Sequence, residues 1–225
     1  MRPVSAHHIS PATTGTAADR KHSDILSGCE QAFRRFGVRA ISMAELSRQL
    51  GISKKTLYLY VKDKADLVRQ VFTVLCQRQE ENMDAIEHSH DNAMEALIAL
   101  TQFIQEELRG MHPSVLFDLS KYYPDAHRAL EEHKKKTLQG MLLRNIQRGQ
   151  EQGLYREDID PIVIASLHLG MVQFMTDPET LRQLGRPLSE LQLQLHAYHL
   201  YGIASPKGLE YLRDRLNPES GQPTP

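Results

Sequence analysis

The residues whose chemistry is most concentrated stand close together. In GISKKTLYLYVKDKADL, residues 51–67, Lys54, Lys55 and Lys64 supply ammonium groups, Ser53 and Thr56 supply hydroxyls, and Tyr58 and Tyr60 supply phenols. Ammonium groups hold phosphate oxygens for affinity and read O6 and N7 of guanine for sequence preference. Ser42, upstream, can hold a phosphate through its hydroxyl and the backbone N–H groups beside it. The set suits a polyanion. It does not suit bond cleavage, and no G-x-S-x-G, HExxH, Walker or Rossmann pattern occurs elsewhere. No enzyme activity and no cofactor is therefore expected.

Other reactive side chains offer less. His88 and His90 flank Ser89, and His196 and His199 stand at i, i+3. Either pair could hold a metal, but neither has a clear third and fourth ligand, and no metal is assigned. Cys29 and Cys76 form no CxxC and fall on apolar faces, so they read as packing residues in a protein of the reducing cytoplasm.

Helices must position the basic cluster. Val/Ile/Thr alternation is missing, and almost everything between the ends has helical period. A first helix is expected over 21–36, stopped by Gly37. A second is expected over 43–50, opened by a Ser42–Glu45 capping box and ended by Gly51, and a third over 54–60 after Ser53. Leu46, Leu50, Ile52 and Leu57 can pack the second and third helices on the first, which is helix-turn-helix geometry. A longer helix follows Asp63, with Leu67, Val71, Val74, Leu75 and Ile86 inward. Further helices are expected over 93–108, 113–119 and 124–152. PIVIASLHLGMVQFM is apolar nearly all round and should be buried on most sides. DPETLRQLGRP reads as a connection, followed by two closing helices.

The totals agree. The chain has 225 residues, 40% of them hydrophobic, which suits a globular protein with a substantial core. No apolar run approaches the roughly 20 residues of a membrane span, and the N-terminal stretch does not read as a signal peptide. The net charge of −1 hides an asymmetry: residues 1–69 carry 12 Lys/Arg against 6 Asp/Glu, and the rest carry 15 against 22. A basic head on an acidic body fits one end that meets a polyanion. Residues 1–19 and 217–225 read as disordered tails, 20–66 as the DNA-binding domain and 67–216 as a larger helical domain.

Residues 41–68, ISMAELSRQLGISKKTLYLYVKDKADLV, resemble the DNA-binding signature of the tetracycline-repressor (TetR) family. The shared marks are Ser42, Leu46-Ser47, Gly51-Ile52-Ser53, Thr56-Leu57-Tyr58, and Lys64 with Leu67. Val61 stands where an aromatic is frequent, and Ser47 and Leu50 where small alanines are frequent. The resemblance is specific over residues 22–70; beyond them it is one of length and helical architecture. It implies an all-α fold, with an N-terminal helix-turn-helix three-helix domain and a larger C-terminal helical ligand-binding and dimerisation domain. It places Lys54, Thr56, Tyr58, Tyr60 and Lys64 at DNA-contact positions. It also implies a homodimer, paired through its last two long helices, on a pseudo-palindromic double-stranded operator.

The same resemblance implies a cavity for a small-molecule effector among the middle helices. Phe103, Glu107, Met111, Phe117, Met141, His168, Met171 and Phe174 are the candidate wall residues. His168, alone in an apolar helix, reads first as a core histidine. The expected function is sequence-specific transcriptional regulation, by a repressor released from its operator by a ligand. The alternative is a helical ligand-binding or interaction module that does not read DNA.

Overall fold

The computed structural model describes residues 16–216. Of the tails expected over 1–19 and 217–225, residues 1–15 and 217–225 lie outside the described residues, while residues 16–19 form the cap and first turn of α1. Among those described, the helices are α1 (Ala17–Phe36), α2 (Met43–Gln49), α3 (Lys54–Leu57), α4 (Lys64–His88), α5 (Ala93–Leu108) and α6 (Ser114–Tyr122), then α7 (Pro124–Glu151), α8 (Pro161–Thr176), α9 (Pro178–Leu184), α10 (Leu188–Ile203) and α11 (Pro206–Leu216). An isolated antiparallel bridge joins Tyr155 to Ala204.

Side-chain caps set most helix starts. Ser42, Ser53 and Asp63 accept from the backbone N–H of Glu45, Thr56 and Asp66 and open α2, α3 and α4. The expected capping box at α2 is only half formed, because Glu45 turns to Arg48 instead of returning to Ser42. A complete box forms at Thr16 and Asp19, so α1 starts at Ala17 and not at residue 21. The connection expected at residues 177–187 contains α9, which Asp177 caps and Gly185 ends in the left-handed conformation (φ +61°). Helix α3 stops at Leu57, and a turn carries the chain on to Tyr60.

The core has two parts. In the first, α1, α2 and α3 close over Phe33, Leu46, Leu57, Leu67 and Val71, joined by Val115 and Leu119 of α6 and Leu130 of α7. In the second, α5, α7, α8, α10 and α11 close over Leu97, Leu142, Ile146 and Tyr155. Helix α4 joins the two, and the boundary expected at residue 66 falls in its first turn. Val74, expected inward on α4, is 39% exposed.

The three departures from the family pattern are each accommodated. Val61 is buried in the first core. Buried Ser47 donates its hydroxyl to the Met43 carbonyl (2.9 Å). Leu50 lies over Gly28 of α1, where an added Cβ would come within 2.3 Å of the leucine Cδ2, so the missing side chain on one helix makes room for the larger one on the other.

Polar ties hold the helices in register. Arg78 of α4 donates to both carboxylate oxygens of buried Glu30 on α1 (2.9 and 2.7 Å). Buried Asn145 of α7 donates to the Ala93 carbonyl (2.8 Å) and accepts from the Tyr155 hydroxyl (3.1 Å). Helix α8 is not buried on most sides: Ile162, Val163, Leu167 and Phe174 are between 52% and 62% exposed. On α10, Leu193, Tyr198 and Tyr201 are exposed as well.

Candidate nucleic-acid interface

Buried Leu46 and Leu57 anchor α2 and α3 to α1 and α4, leaving the opposite face of α3 to solvent. Gly51 makes the sharp turn with φ +64°, and the Ile52 N–H donates to the Ser47 carbonyl (3.0 Å). So short a helix is held by its cap and its anchors more than by its own hydrogen bonds.

On this frame Lys54, Lys55 and Tyr58 are exposed. Thr56 is half-buried, and its hydroxyl is 2.8 Å from that of the Ser53 cap. Tyr60 is half-buried too, stacked on His22 of α1 with ring centroids 5.4 Å apart, so its ring belongs partly to the packing. Ser42 and Ser53 are exposed at the N-termini of α2 and α3, each with its oxygen engaged as a cap.

Lys64 differs from the other lysines. Its Nζ donates to the Arg39 carbonyl (3.1 Å) and the Ile41 carbonyl (2.5 Å), tying the start of α4 to the loop before α2. Burial pushes its pKa down, opposed by the Asp118 carboxylate. One ammonium proton is left for a phosphate. Sequence reasoning missed Leu59, which is 75% exposed beside Tyr58 because α3 ends at Leu57 and turns this side chain outward.

A cavity of about 150 Å³ lies among α4, α5, α6, α7, α8 and α10. Of the expected wall residues, Phe103, Glu107, Met111, Met141 and His168 line it. The other three do not. Phe117 faces a separate open cleft, Phe174 is 62% exposed, and Met171 is outside the lining. Their helices turn these positions away from the cavity. His133, Lys134 and Thr137 of α7 are half-buried at its wall.

Sequence reasoning also missed Gln79, Gln192 and His196 on this wall. The sequence pairs His196 with His199 and leaves His168 solitary, yet the three rings meet: His168 lies 5.5 Å from His196 and 4.3 Å from His199, centroid to centroid. The i, i+3 spacing signalled two of them; the third comes from a different helix. Burial holds all three imidazoles below the ordinary histidine range, His199 at about 4. Among the described residues no group of three or more His, Cys, Asp or Glu side chains is placed to hold a metal ion. His88 and His90 engage the carbonyls of Asp84 (2.7 Å) and Ile86 (2.9 Å). Burial raises the thiol pKa of Cys29 and Cys76 to about 11, which leaves them protonated and unreactive.

The cavity wall touches the basic head. Glu107 faces Arg34 of α1 (3.4 Å) and accepts from Gln79 of α4 (3.4 Å). The Arg34 guanidinium also donates to the carbonyls of Glu107 and Arg109, and the Arg34 carbonyl accepts from the His112 N–H (2.7 Å). Asp118 of α6 accepts from the Arg39 N–H (2.9 Å), in the loop that Lys64 also grips. These contacts join α5 and α6 to α1 and to the loop before α2.

Comparison with known proteins adds independent findings. Residues 25–71 match the family described as bacterial regulatory proteins, tetR family. The uncharacterized HTH-type transcriptional regulator YhgD of Bacillus subtilis is 33% identical over 89 residues, 38% of this chain and 46% of its own length. The chain thus spans about half of that relative. The uncharacterized HTH-type transcriptional regulator MT0489 of Mycobacterium tuberculosis is 23% identical over 203 residues, 88% of this chain and 85% of its own length. A crystal structure of a TetR-family transcriptional regulator from Agrobacterium tumefaciens superposes with a TM-score of 0.65 at 19% identity, covering 83% of this chain and 99% of that one. At that identity the likeness is one of fold. Among the described residues no helix is long and apolar enough to cross a membrane.

Proposed function

From the premise that the chain belongs to the tetR family of bacterial regulatory proteins, we propose that it is a cytoplasmic, homodimeric repressor that reads a pseudo-palindromic DNA site and is released by a small molecule. The observation that carries the reading is the capped, exposed α3, with Lys54, Lys55 and Tyr58 in solvent and Leu57 holding it on the core. A helix so placed can enter a major groove, its lysines meeting phosphates and base edges while Ser42 and Ser53 meet the backbone.

The exposed apolar face of α8 and α10 supports the dimer. Leu167, Phe174, Leu193 and Tyr198 on the outside of one subunit form the kind of surface that a second copy covers. Two subunits related by a two-fold axis would present two copies of α3 to two half-sites. The cavity supports the effector. A molecule bound there releases DNA only if it prefers the conformer that holds the two heads badly, and the contacts of Arg34 and Asp118 give it the means.

Salt dependence tests the reading. Duplex DNA binding should weaken by about a thousandfold or more between about 50 and 200 mM salt if six or more phosphates are neutralised. Binding that is absent at low salt, or insensitive to salt, would favour a helical ligand-binding module that does not read DNA.

A further inference from the structure

The cavity has two chemically different ends. Toward α4, α5 and the N-terminal half of α7, each charged lining side chain has a partner. Glu107 faces Arg34 (3.4 Å), Glu80 faces His133 (3.5 Å), and Lys134 faces Glu131 (3.0 Å). Toward α8 and α10 the lining polar groups are uncharged: His168, Gln192, His196 and Thr176, whose hydroxyl already donates to the Val172 carbonyl (3.0 Å). Most of the remaining wall is aliphatic or aromatic, including Leu100, Phe103 and Met141.

Three atoms are buried without a partner where α8 meets α10: His168 Nδ1, Gln192 Oε1 and His199 Nε2. His168 and Gln192, 2% and 6% exposed, line the cavity; His199 packs behind His168, outside the lining. A buried polar atom left unpaired is costly, and few are tolerated in a folded protein. His196 is already engaged, its Nδ1 donating to the Gln192 carbonyl (2.7 Å). This bond sets the His196 side chain and the Gln192 backbone on one face of α10, opposite His168 of α8.

Gln192 Oε1 needs a donor. His168 Nδ1 can donate or accept, according to its tautomer. A hydroxyl serves both, giving its proton to the amide oxygen and a lone pair to the imidazole N–H. A ketone or ether has no proton for Gln192. A carboxylate would meet no cation at this end, because burial and the neighbouring His199 and His196 rings hold His168 neutral. An ammonium group would meet no carboxylate there. An apolar cavity of about 150 Å³ is large enough for a benzene ring.

We propose, building on the ligand-responsive reading above, that the cavity takes a small neutral molecule with an apolar body and one terminal hydroxyl, of the alkylphenol or alcohol class. The hydroxyl donates to Gln192 Oε1 and meets His168 Nδ1. The body lies among Leu100, Phe103 and Met141.

The test is calorimetric titration of the full chain, free of DNA, with three probes of matched size: para-ethylphenol, para-ethylanisole and para-ethylbenzoate. The phenol should bind at least about tenfold more tightly than its methyl ether, the effect of one hydrogen bond to a buried acceptor. The benzoate should bind more weakly than either. In a Gln192→Leu variant the preference for the phenol should vanish while the ether still binds, which reports an intact cavity. Equal affinity for phenol and ether in the unaltered protein would overturn the proposal, since water alone would then serve the two atoms. So would a benzoate that binds most tightly, or failure of all three probes to bind. Phenol binding that leaves DNA affinity unchanged would uphold this ligand class and overturn the ligand-released repressor instead.

Discussion

Lys54 and Lys64, both basic and both in the same short stretch, do different work. Lys54 is free in solvent at the start of α3, whereas Lys64 is half-buried with its ammonium on two backbone carbonyls. Lys54→Ala and Tyr58→Ala should each cost about 1–3 kcal/mol of binding and relax base preference where the side chain meets a base edge. Lys64→Ala should weaken binding to all sequences alike, and should also lower thermal stability by about 1 kcal/mol through the lost ties to Arg39 and Ile41. Anisotropy titrations with matched and scrambled duplexes, beside a melting curve, separate these effects. A Lys64→Ala variant of unchanged stability would contradict the structural half of this role. The exposed contact surface was legible in the sequence because Lys54, Lys55 and Tyr58 surround an apolar thread that must face inward. The second role of Lys64 was not, because its carbonyl partners stand 23 and 25 residues away along the chain.

Helix ends and helix faces differed in legibility. Ser42, Ser53 and Asp63 announced α2, α3 and α4, because a cap is a local interaction between near neighbours. The same logic was available at Thr16–Asp19 and at Asp177, where low apolar content concealed it. Which face turns inward was harder to read. Helix α8 is apolar all round, so its pattern does not distinguish His168, inside, from Phe174, outside. The meeting of α8 and α10 has a consequence for stability. The imidazoles of His168, His196 and His199 have pKa values depressed in the folded state, so below about pH 6.5 the unfolded chain binds more protons than the folded one. Their contribution is full above that pH and is lost as the pH falls toward about 4, the value for His199. The melting temperature should therefore drop as the pH is lowered from about 7 to 5, and the drop should shrink in a His199→Leu variant. Identical pH profiles for the two proteins would contradict this account.

In the whole molecule, a basic head is built on a core that it shares with α6 and α7, and the acidic body offers an apolar flank. The fold class was legible because one periodicity runs through nearly the whole chain. The cavity was legible only through the family resemblance, since six helices converge to make it and sequence spacing reports one helix at a time. Leu167→Glu would place a charge on the exposed face of α8 without touching the core of the subunit. By sedimentation the variant should be a folded monomer, and its affinity for a two-half-site duplex should fall by at least about a hundredfold, because one head then binds without the other. A dimer of unchanged affinity would place the interface elsewhere. The central claim, a dimeric reader of DNA sequence, is tested most directly by repeated selection of the full protein on a pool of random duplexes at low salt, followed by sequencing. The account predicts enrichment of a pseudo-palindrome whose half-sites lie about one or one and a half helical turns apart, a turn being about 10 bp. A pool that retains its random composition, with the protein folded and free of ligand, would contradict it.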